Sequence, residues 1–88
     1  MEVGLLWFDD DKNKTIEEKV RLAARRYREK FGMVPDTCYV NQASFKGKSS
    51  LKLKGEGVLI KVIAAPNILP HHFWIGVRGR RRKRETGN

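Results

Sequence analysis

Between Ile16 and Phe31 the apolar positions Ile16, Val20, Ala23, Ala24, Tyr27 and Phe31 recur at steps of three and four, so they share one face of a helix. Thr15 stands as N-cap, and Glu18 three residues on completes a Thr-x-x-Glu capping box. Gly32 occupies the position where a left-handed residue ends a helix, and Pro35 blocks continuation. Ahead of this helix, Val3-Gly-Leu-Leu-Trp-Phe8 is apolar on both alternations, as in a strand covered on both faces. After it, Thr37–Asn41 reads as a second short strand, and strand, helix and strand make a βαβ unit with parallel strands.

The second half of the chain changes period. Leu51-Lys-Leu-Lys54 alternates cleanly, which puts the leucines toward a core and the lysines toward water. Gly55-Glu-Gly57 reads as a three-residue hairpin loop, and Val58–Ala64 returns as an apolar strand broken only by Lys61. Pro66-Asn67 turns the chain, Pro70 closes a short segment, and Phe73–Val77 forms a last strand. The expected architecture is α/β, with α+β as the variant: one amphipathic helix on a mixed sheet of four or five strands, in the order β-α-β-β-β-(β). A single helix covers one sheet face, whereas strands 3–8 and 58–64 are apolar on both. The second face must be hidden by the segments around Phe45 and Ile68–Phe73, or by another chain.

Charge adds a boundary. The 88 residues carry a formal +9 at 40% hydrophobic content, enough for a globular domain and strongly favouring polyanionic partners. Residues 78–88 hold six bases against one acid, so five of the nine excess charges lie there. Positions 1–77 are expected to form one compact α/β domain. Residues 78–88, with no apolar side chain after position 77, are expected to form a flexible basic tail. The single cysteine, Cys38, permits no intramolecular disulfide. No stretch is long and apolar enough to span a membrane, and no basic leader precedes the first apolar run. A cytoplasmic location is expected.

The chemistry legible in the sequence is sparse. Asp9-Asp10-Asp11 follows the first strand, at the edge where open α/β sheets place ligands. A strand ending in acids also opens receiver domains and several Mg²⁺-dependent phosphotransferases, but no second-strand aspartate accompanies it here; Asn41 is the nearest polar group. The bland reading is that the aspartates offset the positive end of the helix dipole, at up to about 1 kcal/mol each. Asp9-x-Asp11-x-Asn13 begins like a calcium loop, yet Lys14 and Val20 stand where such a loop needs glycine and a bidentate glutamate. His71 and His72 are adjacent, and neighbours on a strand diverge. No catalytic residue, cofactor or firm metal site is expected; Asp9, Asp10 and Asp11 are the weak metal candidates.

The basic elements stand above this background. Arg80, Arg81, Arg82, Lys83 and Arg84 are consecutive, Arg78 precedes them, and guanidinium forks suit phosphate. Lys46, Lys48, Lys52 and Lys54 form a second group, since alternate strand residues share a face. No RNA-recognition signature, zinc-finger spacing or heptad is present. The run from LLWFDDD through EEKVRLAARRYREKFGMVPDTCYVN to LPHHFWIGV resembles short bacterial or phage-borne proteins of no assigned function, over about residues 5–77. That resemblance implies that the core is a unit and the tail an addition. The first expectation for function is non-catalytic binding of DNA or RNA through phosphate contacts. The second is a protein-interaction or homodimerising module with a solubilising tail, and the third a Mg²⁺-dependent enzyme built on the aspartate loop.

Overall fold

The helix α1 spans Ile16–Phe31, and its start is fixed as the sequence requires. The Thr15 hydroxyl accepts the Glu18 N–H at 3.1 Å, while the Glu18 carboxylate accepts the Thr15 N–H at 2.8 Å. Two helix-end donors are thereby satisfied reciprocally. At the other end Gly32 takes φ 74° and donates its N–H to the Arg28 carbonyl at 2.8 Å. The computed structural model describes residues 4–44, 50–55 and 57–78.

Five strands accompany the helix: β1 (Gly4–Phe8), β2 (Thr37–Asn41), β3 (Ser50–Gly55), β4 (Val58–Ala65) and β5 (His72–Gly76). They form one mixed sheet in the order β1-β5-β2-β4-β3. β5 is antiparallel to both β1 and β2, so β1 and β2 run parallel, as expected of a strand–helix–strand unit. They are not neighbours, however, because β5 is inserted between them. The helix crossover leaves a gap one strand wide, and Phe73-Trp-Ile fills it with an apolar strand. β2 pairs in parallel with β4, and β3 closes the sheet antiparallel to β4. Gly55 pairs with Val58, so the hairpin connection is two residues rather than the expected three. Gly57 takes φ 79° there, a conformation that favours glycine.

Period-two alternation assigns each strand's sides. Val20, Ala23, Ala24 and Tyr27 of α1 pack on Cys38, Val40, Leu53, Ile60, Val62, Phe73 and Ile75, all buried. Leu5 and Trp7 extend this core toward β1. The paired alanines let the helix axis approach the sheet, and each large core side chain contributes about 1.5–3 kcal/mol on burial. Burial pushes the Cys38 thiol well above its ordinary pKa, so the one cysteine is inert filler. A short 3-10 turn, Gln42–Ser44, follows β2; Phe45 and the lysines at 46 and 48 lie outside the described residues. Among the described residues no helix is long and apolar enough to cross a membrane.

Candidate nucleic-acid interface

The face of the sheet turned away from α1 has no described layer over it. Leu6, Phe8 and Leu59 remain more than half exposed there, at 58%, 53% and 57%. Of the segments expected to cover it, the one around Phe45 lies outside the described residues. In Ile68–Phe73, Phe73 faces the helix side as a core residue, Leu69 is exposed, and the histidines reach the Phe8 ring. Thr37, Tyr39 and Asn41 of β2, His72 and Trp74 of β5, and Lys61 and Ile63 of β4 belong to this face by alternation.

Registers place these side chains in order across the sheet. Phe8 opposes His72, with ring centroids 5.0 Å apart, and Leu6 opposes Trp74. Trp74 in turn opposes Tyr39, and Tyr39 opposes Ile63. The Trp74 indole leans over β1: a Cβ built on Gly4 would meet its six-membered ring at 2.6–3.0 Å. Gly4 is thus the residue that lets the indole lie across the neighbouring strand. An aromatic and apolar belt therefore runs from β1 to β4.

At the far corner the belt meets lysines. Lys52 lies directly opposite Lys61, and Lys54 opposite Leu59. All three ammonium-bearing side chains are exposed. Like charges facing each other across a ladder destabilise it by a few tenths of a kcal/mol or more. None of the five strands contains an Asp or Glu to relieve that repulsion. The pair is a local conflict between register and charge.

The other expected site residues divide. Lys52 and Lys54 are brought to this face, joined by Lys61, which in the sequence is legible only as a break in an apolar strand. Arg78 is exposed just beyond β5, its N–H donating to the Asp36 carboxylate at 3.0 Å. Arg80, Arg81, Arg82, Lys83 and Arg84 lie outside the described residues, as do Lys46 and Lys48. On the helix side of the molecule, Arg26 pairs with Glu29 at 3.3 Å and sits 5.9 Å over the Trp7 ring.

The aspartate loop is occupied with its own structure. Asp9 is buried; its carboxylate accepts the Asp11 N–H at 3.0 Å and the Lys14 ammonium at 3.1 Å. Burial disfavours its charge, but the Asp11 N–H and the Lys14 and Lys19 ammonium groups prevail and hold its pKa below the usual value. Asp11 accepts the Asn13 N–H at 2.9 Å. Among the described residues no three His, Cys, Asp or Glu side chains converge on a common point. His71 and His72 both flank the Phe8 ring, and His71 lines an open cleft of about 260 Å³ with Lys19, Asn41 and Ser44. Asn41 is engaged in that cleft, donating to the Ile68 carbonyl and accepting from the Ala43 N–H, each at 2.8 Å.

Comparison of the chain with protein-family models, with curated proteins and with solved structures finds no match.

Proposed function

We propose that this protein is a non-catalytic binder of single-stranded nucleic acid, and that the uncovered sheet face is its binding surface. The observation that carries the reading is the join between the Phe8–Trp74–Tyr39 belt and the Lys52–Lys61 pair on one acid-free face. Unpaired bases stack on aromatic side chains held on a sheet, and a base step is worth about 1–3 kcal/mol by alanine substitution. Phosphates would relieve the lysine repulsion, and the formal +9 of the chain favours approach of a polyanion. A duplex offers its phosphates but hides the π-faces of its bases, so the aromatic belt favours a single strand. The consecutive bases at 80–84 would add sequence-independent phosphate contacts.

Titration of the full chain with a thymine homo-oligonucleotide, monitored by tryptophan fluorescence, tests this. Binding should quench the indole emission, and Trp74→Ala should weaken affinity by about tenfold or more. Lys52→Gln with Lys61→Gln should flatten the salt dependence by about 1.4 in log–log slope, two contacts at about 0.7 each. Equal affinity and equal slope in all three proteins would remove the sheet from the interface.

A further inference from the structure

The two edges of the sheet are built in opposite ways, and the difference points to a partner. In the β1–β5 ladder the Asp9 N–H donates to the His71 carbonyl at 2.9 Å, in register with the strand pairs. By the alternation of an antiparallel ladder, Leu5 and Trp7 then bond to β5, while the N–H and C=O groups of Gly4, Leu6 and Phe8 point outward. At the other edge the Lys61 N–H donates to the Asp36 carbonyl on the β2 side, which turns Ile60 and Val62 toward β3. The outward backbone groups of β3 accordingly belong to Ser50, Lys52 and Lys54.

Two of the three outward positions are therefore lysine on β3 (Lys52 and Lys54) and large and apolar on β1 (Leu6 and Phe8). Lysines on an edge strand block pairing with another sheet. The β3 edge is further plugged, because Arg21 Nε donates to the Lys54 carbonyl at 3.0 Å. β1 carries no charged residue and no proline, and among the described residues none caps its outward carbonyls. An exposed, flat, apolar edge is a template for strand addition.

We propose that two copies of this chain pair antiparallel through β1, joining their sheets into one of ten strands. The pairing is isologous about Leu6, which faces itself across the two-fold axis. Gly4 of each copy then faces Phe8 of the other, a small residue against a large one. The Phe8 ring meets the partner's indole where that ring lies over Gly4. Leu5 faces Trp7 on the helix side. Charge within the strands selects this edge: Gly4–Phe8 against its copy brings no like charges together, whereas β3 against β3 sets lysines in contact. Two five-residue strands with these side chains bury less than the ~1,600 Å² of a standard interface, so the dimer belongs with weak associations. The pairing does not depend on nucleic-acid binding, although it would join two aromatic belts at the seam and leave the lysine corners at the far ends.

The test is made without nucleic acid, on the full chain. Sedimentation equilibrium should show a monomer–dimer equilibrium between about 10 μM and 1 mM, the range of weak interfaces. Over that range amide exchange at Gly4, Leu6 and Phe8 should slow several-fold, because pairing occupies those outward N–H groups. Leu6→Lys should give a monomer at every concentration with an unchanged circular dichroism spectrum. Leu59→Lys, at the other side of the open face, should leave dimerisation intact. Monomer throughout for the wild-type chain would overturn the proposal. So would association that leaves the Leu6 and Phe8 amides unprotected, or association lost equally in Leu59→Lys; both would mark face-to-face packing instead.

Discussion

His71 is the single non-glycine residue among those described with a positive φ, 65°. The left-handed conformation is uncommon outside glycine, though histidine is among the residues found there more often, and it costs of order 1 kcal/mol. A backbone hydrogen bond offsets that cost: the His71 carbonyl accepts the Asp9 N–H, extending the β1–β5 ladder past the end of both strands. Asp9, on the other side of that bond, carries a buried carboxylate that accepts the Asp11 N–H and the Lys14 ammonium. Because folding lowers its pKa, the ionised form stabilises the fold. That contribution is complete above the ordinary aspartate value of about 3.9 and fades as pH falls through the lower folded value. Asp9→Asn should therefore be less stable than wild type at pH 7, and the gap should narrow below about pH 4 in urea denaturation. A gap that stays constant down to pH 2 would show that the charge of Asp9 contributes nothing. At this scale the sequence is readable in part. The aspartates ahead of the helix are visible as helix-dipole or metal candidates. Their partners, Lys14 and the Asp11 amide, emerge only once the loop is folded on itself.

The helix and the strands are legible because their signals are local. Periodicity at three and four, a capping box and a left-handed glycine each lie within one element, and each is present in the structure. Thr15→Ala removes the hydroxyl that accepts the Glu18 N–H and should cost about 1 kcal/mol in thermal or urea unfolding. No loss of stability would mean that packing alone holds the first turn. Strand order is less legible. Inserting β5 between β1 and β2 brings residues more than thirty apart into register, and no local pattern in β1 or β2 encodes that choice. The hairpin loop reads one residue too long for a related reason. Gly55 has no side chain to betray its pairing, and it packs in the ladder opposite Val58 with the stem of Arg21 alongside.

For the whole molecule, the imbalance between one helix and two-faced strands is plain in the sequence, and the structure places it: one covered face, one open. The composition of the open face is not legible from any one segment. Its aromatics come from β1, β2 and β5, its lysines from β3 and β4, and adjacency between them depends on the sheet order. Basic groups lie on both sides, with Arg26 over Trp7 on the helix side and the strand lysines beside the belt. Under the proposed function, the Phe8–Trp74–Tyr39 belt is the part of the surface that would stack unpaired bases. The most direct test of the proposed function is to map bound oligonucleotide by amide and aromatic chemical shifts on the full chain. Binding at the sheet face should perturb Phe8, Tyr39, Lys52, Lys61 and Trp74 on addition of a thymine oligonucleotide, with the indole resonances moving most. Perturbations confined to the helix around Arg25 or to residues 79–88, with Tyr39 and Trp74 unmoved, would contradict it.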